Sequence, residues 1–497
     1  MRRHWTLSFT KPPPIAVKPL PPVRMHSHAG KLLHALLTVI AVTGCASVPN
    51  VGLSGVQETT SQRTGLRVQW VQNRPEDSVA QAYVRRALAG EVPVDSAIQI
   101  GLLRNKRLQA SFEDLGIAQA DLVQAGLFGN PVLSAGKAFA RGGGTGIQSI
   151  GVALPFINFL QRPLRQRVAR QEFDAARARM SATVLNTAAD IRIAYINAQA
   201  ALQLLELRRT VFMAMDASAI AATAIHDAGN LSDFDLAQER AQAADARLEV
   251  FRAEGDARVA RAELERVMGV GGGQSWTLTA RLSTPADTMV AEAALTETAL
   301  SRRLDLRAAR SDASAAAQRL GLTRAFALLP DGTFGATYER DPDGTFIGGA
   351  VSVPLPLLDR GQARVAGHRA LLRQAAARHD ALVVEIGAEV RQLSATLASA
   401  RDREDHLRRV VLPLRRQVVT ESQKFVNAME HSIFTLLLAK QAEIDAGQAY
   451  IEALRDYWLT RARLERAVGG TFAPLTAAER TAHAATLDST GRTTPLN

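Results

Sequence analysis

The residues that could carry out chemistry in this chain of 497 residues are few and scattered. Its ten histidines and one cysteine show none of the spacings of a zinc protease, and neither a phosphate-binding loop nor a serine-hydrolase elbow occurs. The glycine-rich stretch 269–273 follows a predicted helix instead of a strand, which argues against a dinucleotide loop. We therefore predict that the protein is not an enzyme and has no catalytic residue, no metal site and no cofactor.

One set of acidic residues surrounds positions 229 and 429 of the sequence: Asp227, Asp233, Asp235, Glu421 and Glu430. Arranged in a ring, such carboxylates would attract cations. The alternative is that they are solvated charges at helix ends. His226 stands beside Asp227 and could bind a metal or sense protons, with an ordinary turn residue as the alternative.

The only cysteine, Cys45, follows a lysine, an apolar run at 32–42 and two small residues. That run is too short to span a bilayer but has the length of a secretory signal core. The stretch Val42-Thr43-Gly44-Cys45 resembles a bacterial lipobox, in which the cysteine is lipidated and becomes the mature N-terminus. A coincidental buried thiol is the alternative. Ala46, which follows, favours the outer membrane in the lipoprotein sorting rule.

The formal net charge of +11 owes much to residues 1–44, which hold six basic residues and no acidic one. Elsewhere basic and acidic residues alternate along predicted helices, which is typical of a solvated helix face. No basic cluster is interleaved with aromatic residues, so we predict no nucleic-acid partner.

The elements that must position these residues occur twice. Residues 261–269 recur as 461–469 with six of nine positions identical, at an offset of 200. Residues 231–236 match 431–436 at the same offset, whereas 152–155 match 351–354 at an offset of 199. The chain is therefore predicted to contain two copies of one structural unit, and its function should lie in how they assemble.

Each copy is predicted to contain a helix, a β-hairpin, a very long helix, a turn and another helix. Helical periodicity covers 97–127, and strands at 132–140 and 147–154 flank a glycine-rich loop; strands at 333–340 and 345–353 repeat them. Residues 164–228 contain neither glycine nor proline and could form a helix of roughly 100 Å. The matching stretch contains Pro413, which should bend or interrupt its helix.

The turns after the long helices are predicted to differ. Gly229 ends the first long helix, and Ser232 can cap the helix that follows. Met429 replaces that glycine in the second copy.

The hairpins have the pattern of strands between lipid and water. Phe334, Ala336 and Tyr338 alternate with Gly335, Thr337 and Glu339. Four strands cannot close a membrane barrel and open edges are not tolerated in lipid, so such a chain must oligomerise. Two copies would give eight strands and three would give twelve.

These features together resemble the TolC-type outer-membrane efflux factor family. The resembling segments cover about residues 90–470 and include Asn105-Lys-Arg-Leu108, the stretch 124–131, Arg303-Leu-Asp-Leu-Arg-Ala308, Leu328-Leu-Pro330, the stretch 353–361, Val411-Leu-Pro413 and the two helix ends at 269 and 469. The resemblance implies a mainly α fold with β-hairpins. It also implies a tandem-repeat outer-membrane β-barrel, with four strands per chain and twelve in a homotrimer, continued by a long periplasmic α-helical barrel.

The resemblance further implies an exit duct that docks a periplasmic adaptor (membrane-fusion) protein and an inner-membrane transporter, in contact with outer-membrane lipid. Its adaptor-docking and aperture residues would lie at the helix turns: Gly229, Leu231, Ser232, Asp233, Met429, His431 and Ser432. The alternative function is a lipid-anchored periplasmic coiled-coil scaffold or adaptor without a pore. Such a scaffold has no need of two hairpins in matching places.

The expected organisation is a leader at 1–44 and an extended segment at 45–90 after the lipidated cysteine. The first repeat would occupy 91–270, with its hairpin at 131–155 and its turn at 228–235. After a linker at 271–290, the second repeat would occupy 291–470, with its hairpin at 331–354 and its turn at 428–435. A flexible tail would follow at 471–497.

Overall fold

The computed structural model describes residues 52–72, 77–139, 146–272, 275–279, 281–285, 292–329, 331–341 and 344–471. They all fall in one compact unit. Cys45, the leader, the tail beyond 471, most of the first hairpin loop and part of the linker between the repeats lie outside the described residues.

The first copy of the unit contains two helices, a hairpin, a long helix and a returning helix. Two further helices precede it, and a two-residue strand precedes α3. The elements are α1 (Gly52–Thr64), α2 (Asp77–Ala87), β1 (Glu91–Val92), α3 (Val94–Arg104), α4 (Lys106–Gly126), β2 (Val132–Ala138), β3 (Ile147–Leu154), α5 (Phe156–Asp227) and α6 (Asp233–Met268).

The second copy repeats this order, which supports the duplication read from the sequence. Its elements are β4 (Thr277–Leu278), α7 (Glu292–Arg302), α8 (Leu304–Ala325), β5 (Thr333–Asp341), β6 (Gly344–Ser352), α9 (Gln362–His406), a π-helical turn (Leu407–Val411), α10 (Leu412–Asn427) and α11 (Ile433–Val468). β1 and β4 pair in parallel and so join the starts of the two copies.

The segment expected to be extended after Cys45 differs from that expectation, because it contains α1 and α2. α1 is held by contacts that its own sequence does not reveal. The Arg63 guanidinium donates to the carbonyl oxygens of Arg302 (2.7 Å) and Gly469 (3.0 Å), and Val56 is fully buried. Helices this short depend on such tertiary contacts for their stability.

The long helix α5 begins at Phe156, eight residues before the stretch 164–228 predicted from the sequence, so it contains Pro163 and the predicted start was wrong. Its first two turns are held by Ile157, which is buried, and by Arg162, whose Nε donates to the carbonyl oxygen of Gly126 over 2.7 Å. These contacts offset the backbone hydrogen bond that the proline removes. With 72 residues, α5 is about 108 Å long.

The helix that matches α5 is interrupted near Pro413, as predicted. It passes through the π-helical turn, where the backbone N–H of Leu412 donates to the carbonyl oxygen of Leu407, five residues back. Before this turn the buried residues of the two copies correspond at an offset of 199: Ala188 with Gly387, Ile191 with Val390, and Ala198 with Leu397. After it the offset is 200, so the turn absorbs one inserted residue.

The hydrophobic core of each copy joins its short helices to its long helix and to its returning helix. In the first copy Ile98, Leu102 and Phe112 on α3 and α4 pack with Ile191 on α5 and Met268 on α6. A smaller cluster in the second copy joins Leu295, Leu306, Ile386, Val390 and Leu464. Both lie where the short helices meet the middle of the long one, so each long helix extends beyond its core in both directions.

Candidate functional site: the exposed sheet and the two helix turns

The four hairpin strands form one antiparallel sheet in the order β2-β3-β5-β6. Between the hairpins, β3 pairs with β5, with Ile150 opposite Tyr338 and Leu154 opposite Phe334. β2 and β6 are the outer strands, so each presents one unpaired edge.

One face of this sheet is apolar. Residues that are paired across antiparallel strands share a face, and the register places large apolar side chains together. That face carries Leu133, Ile150, Val152, Leu154, Phe334, Tyr338, Ile347 and Val351, all of them exposed in the single chain. Soluble proteins rarely expose an apolar surface of this extent.

The opposite face carries mostly small and polar residues, with Val132, Ile147 and Phe346 as its exposed apolar exceptions. Its members include Ser134, Ser149, Gly151, Thr337, Gly348 and Glu339. The predicted alternation of Phe334, Ala336 and Tyr338 with Gly335, Thr337 and Glu339 is therefore continued by the neighbouring strands.

The first helix turn, between α5 and α6, is fixed by backbone and side-chain caps. Ser232 caps α6 as predicted, because its Oγ accepts from the backbone N–H of Asp235 at 3.1 Å and donates to the Asp235 carboxylate at 2.6 Å. Gly229 adopts the left-handed conformation with φ 79°. The N–H groups of Gly229 and Asn230 donate to the carbonyl oxygens of His226 and Ile225.

A histidine bridges the two helices at this turn. The Nε2 of His226 lies 2.7 Å from a carboxylate oxygen of Asp233, and its Nδ1 lies 3.5 Å from Asp227. Hydrogen bonds to Asp233 first, and then to Asp227, raise the pKa of His226 above its usual value. The interpretation of His226 as an ordinary turn residue therefore misses its contact across the turn.

The second helix turn has the same backbone, so the prediction that the turns differ was wrong in this respect. Met429 takes the left-handed conformation with φ 61°, and the N–H groups of Met429 and Glu430 donate to the carbonyl oxygens of Val426 and Phe425. These bonds match those of the first turn. The side chains do differ, since the His431 ring stacks on Phe425 with centroids 4.9 Å apart.

Four of the five candidate acidic residues have partners in or next to their own turns. Asp227 and Asp233 contact His226, Asp235 contacts Ser232, and Glu421 pairs with Lys424 at 2.9 Å. Glu430 and Leu231 lie in the turns themselves, as do Ser432 and His431. These contacts favour helix-end charges over a preformed ring within one chain. Among the described residues, no group of three or more histidine or acidic side chains could hold a metal ion.

Sequence reasoning missed the ion pairs that join the two copies, of which α5 makes four with α8 and α11 among the described residues. Arg179 on α5 contacts Asp312 on α8 at 2.8 Å, and Arg192 on α5 contacts Glu465 on α11 at 2.7 Å. A signal was present for the pairs of Arg179 and Arg192, because the positions equivalent to their four residues carry the same charges.

No described helix is both long enough and apolar enough to cross a membrane.

Comparison with known proteins agrees with this architecture. Residues 102–270 match the family model described as outer membrane efflux protein. The structure superposes on the outer-membrane channel OprN with a TM-score of 0.64 and 16% identity, covering 86% of this chain and 99% of that one. The chain has the fold of the TolC-type outer-membrane efflux proteins.

Two further structures share this efflux-protein fold. VceC from Vibrio cholerae gives a TM-score of 0.62 at 18% identity over 76% of this chain and 97% of that one. The CmeC outer membrane channel of Campylobacter jejuni gives 0.62 at 14% identity over 85% and 92%. No curated protein sequence matches the chain. The family model covers part of the first repeat, and the fold expected from the resemblance is confirmed over both repeats.

Proposed function

We propose that three copies of this chain form the exit duct of a tripartite efflux system in the outer membrane. The observation that carries this proposal is the four-stranded sheet, which exposes an apolar face and two unpaired edges. Hydrocarbon would cover the apolar face, and β6 of one copy would pair with β2 of the next. Small molecules or ions would then pass along the small, polar face without a chemical step.

Three copies suit the geometry better than two. Twelve strands leave an aqueous lumen, whereas eight strands are filled by their own side chains. Below the barrel, the 72-residue α5 and its counterpart would continue the tube into the periplasm.

The turns would be the end of the tube that meets its partners. In this proposal a periplasmic adaptor docks on Gly229, Leu231, Ser232, Asp233, Met429, His431 and Ser432, and it couples the duct to an inner-membrane transporter. Cys45 would carry acyl chains and add a lipid anchor. The acidic residues of each turn would approach those of the other copies only in the trimer.

The lipid-anchored periplasmic scaffold without a pore remains the second candidate. It offers no reason for the exposed apolar face formed by residues such as Val351 and Ile347. We therefore favour the duct.

Two adjacent residues on β5 provide the test. Ala336 lies on the apolar face and Thr337 on the opposite face. Arginine facing lipid costs about 2–4 kcal/mol near the bilayer midplane, whereas arginine facing a lumen does not. Ala336→Arg should therefore reduce the amount of protein extracted from outer membranes as a trimer. Thr337→Arg should assemble and change the conductance in planar bilayers. A wild-type protein that is extracted as a monomer without conductance would exclude the duct.

The lipid anchor needs a separate experiment. Cys45→Ala should abolish metabolic labelling with a fatty acid, while the sheet still holds the protein in the membrane. Unchanged labelling would mean that Cys45 is not the acylated residue.

A further inference from the structure

The two copies inside one chain are joined by α5, which belongs to the first copy and packs against α8 and α11 of the second. Arg179 Nη1 lies 2.8 Å from Asp312 Oδ2 on α8. Further along the helix, Arg192 Nη1 lies 2.7 Å from Glu465 Oε2 on α11. These two ion pairs are part of the contact between unlike copies.

The repeat assigns an equivalent position to each of these residues. At the offset of 199, Arg179 corresponds to Arg378 and Arg192 to Arg391, both on α9. Asn105 immediately precedes α4 and Arg303 immediately precedes α8, so equivalent residues of these two helices are 198 positions apart. Asp312 on α8 therefore corresponds to Asp114 on α4. Glu465 corresponds to Glu265 on α6 at an offset of 200. All four equivalents keep the sign of charge.

These equivalent residues are not joined to each other within the chain. Arg378, Arg391 and Asp114 are exposed and form no ion pair with any residue that the structure describes. The Glu265 carboxylate forms an ion pair with the Arg261 guanidinium at 3.1 Å. Glu465 forms the same ion pair with Arg461 at 3.3 Å, and its other carboxylate oxygen binds Arg192.

We infer that Arg378 and Arg391 of one copy pair with Asp114 and Glu265 of the next copy around the ring. This inference rests on the homotrimer of the proposed function. The contact of α5 with α8 and α11 then recurs between chains as the contact of α9 with α4 and α6. The ring contains six similar junctions, three within chains and three between them.

The sheet follows the same rule. Within the chain β3 pairs with β5, which joins the two copies. The equivalents of β3 and β5 are β6 and β2, the two outer strands. If the contact between the two copies is repeated between neighbouring chains, the outer strands β2 and β6 find partners. The same repetition supplies partners for the charges on α9 and α4 that have no ion-pair partner among the described residues.

Charge reversal with rescue tests the pairing in the full chain purified in detergent. Arg378→Asp and Asp114→Arg should each raise the dissociation constant of the trimer about tenfold, because three junctions lose attraction and gain repulsion. The double variant restores the opposite charges at every junction and should return the constant to within about threefold of wild type. Arg369→Asp is the control on the same helix: Arg369 is exposed, it lies nine residues and therefore about half a turn round the helix from Arg378, and its equivalent Arg170 forms no ion pair with the described residues. It should leave the constant within about threefold.

Cross-linking covers the case in which a charge-reversed chain fails to fold. Arg378→Cys with Asp114→Cys, in a Cys45→Ser background, should yield linked dimers and trimers with a short bismaleimide. Arg369→Cys with Asp114→Cys should not, because nine helical residues displace the thiol by roughly 13 Å.

The outcomes distinguish a failure of the ion pairing from a failure of the proposed trimeric duct. A stable wild-type trimer whose single variants behave like Arg369→Asp, or whose double variant fails to recover, overturns the pairing and leaves the duct intact. A wild-type protein that is monomeric overturns both.

Discussion

The residue with the least expected backbone is Met429. It is the one non-glycine residue with positive φ among the described residues, and its side chain is 94% exposed. A side chain in the left-handed region costs about 1–2 kcal/mol, and an exposed side chain recovers little of this from contacts within its chain. This exposed outlier supports the proposed contact of the turn with the adaptor.

Met429→Gly should therefore stabilise the second turn by about 1 kcal/mol, measured as the free energy of local opening by amide hydrogen exchange at residues 428–430. Gly229→Ala is the matched change in the first turn and should destabilise it by a similar amount. Equal exchange rates in wild type and Met429→Gly would mean that the turn carries no strain.

The other unusual residue of the turns is His226, which bridges α5 and α6. Its pKa is raised by hydrogen bonds to Asp233 and Asp227. The charged groups around it are these two carboxylates, with Asp235 two residues further on and Arg240 bonded to Thr223 one turn up the helices. Because the pKa is higher in the folded turn, the stabilisation is complete below the unfolded value of about 6.5 and is lost as the pH rises through the folded value.

We predict that the first turn opens more readily at alkaline pH than at acidic pH. An NMR titration of the His226 ring should give a pKa above about 6.5, and His226→Gln should remove the pH dependence of amide exchange at 228–232. A titration midpoint at or below the value of free histidine would contradict the bridge.

The two turns also explain what sequence can and cannot reveal at this scale. The helix end at Gly229 and the cap at Ser232 could be predicted, because glycine favours the left-handed turn and serine favours the first position of a helix. The equivalent geometry at Met429 was not readable, since no local signal predicts methionine in a left-handed turn. There the hydrogen bonds to the preceding helix, which are the same in both copies, override the preference of the residue.

Among the elements, the π-helical turn at Leu407–Val411 is where the two copies diverge. Before this turn, equivalent residues of the two copies are 199 positions apart, and after it they are 200 apart. The helices on either side of the turn therefore bury the same faces as in the first copy, although the second copy is one residue longer. Pro413 lies two residues after this turn and lacks the N–H that a regular α-helix would require there. The sequence predicted an interruption at Pro413, but both offsets were needed to recognise an insertion.

Removing Val411 together with Pro413→Met should therefore be tolerated, because it recreates the residue found at the equivalent position 213 in an uninterrupted helix. We expect a loss of less than about 1 kcal/mol in unfolding free energy, measured by denaturant titration of the purified protein.

Removing Ser394 from α9 is the control for this deletion. A deletion inside a regular helix turns one side of it by about 100°, which would carry Leu397 and Ala400 out of contact with their core. We expect it to destabilise by several kcal/mol, as burial loss at two core positions does. Equal losses for both deletions would mean that the π-helical turn is not an inserted residue.

One ion-pair cluster holds the second copy at its base. The Arg303 guanidinium bonds Asp305 and Glu389 and reaches the carbonyl oxygen of Ala467. Burial alone would lower the pKa of Arg303, but the bonds to Asp305 and Glu389 raise it. In the first copy Asn105 occupies the equivalent position and donates to the carbonyl oxygen of Val267. The two copies thus fix the same junction with different chemistry.

For the whole molecule, the sequence predicted the order of the elements, the hairpins and the need for more copies. Alternation along β5 and the length of α5 carried that prediction, because both follow from local periodicity. The pairing of β3 with β5 and the ion pairs of Arg179 and Arg192 could not be predicted, since they join residues more than 100 positions apart. Those long-range contacts now indicate how one chain should meet the next.

In the proposed duct, one chain is a third of a closed ring. Single-particle electron microscopy of the detergent-extracted full chain would show how many chains the ring contains. We expect three copies around a twelve-stranded barrel, with β6 of each copy hydrogen-bonded to β2 of the next and α9 against α4 and α6 of the next. Particles containing one chain, or a ring in which α9 meets other helices, would contradict it.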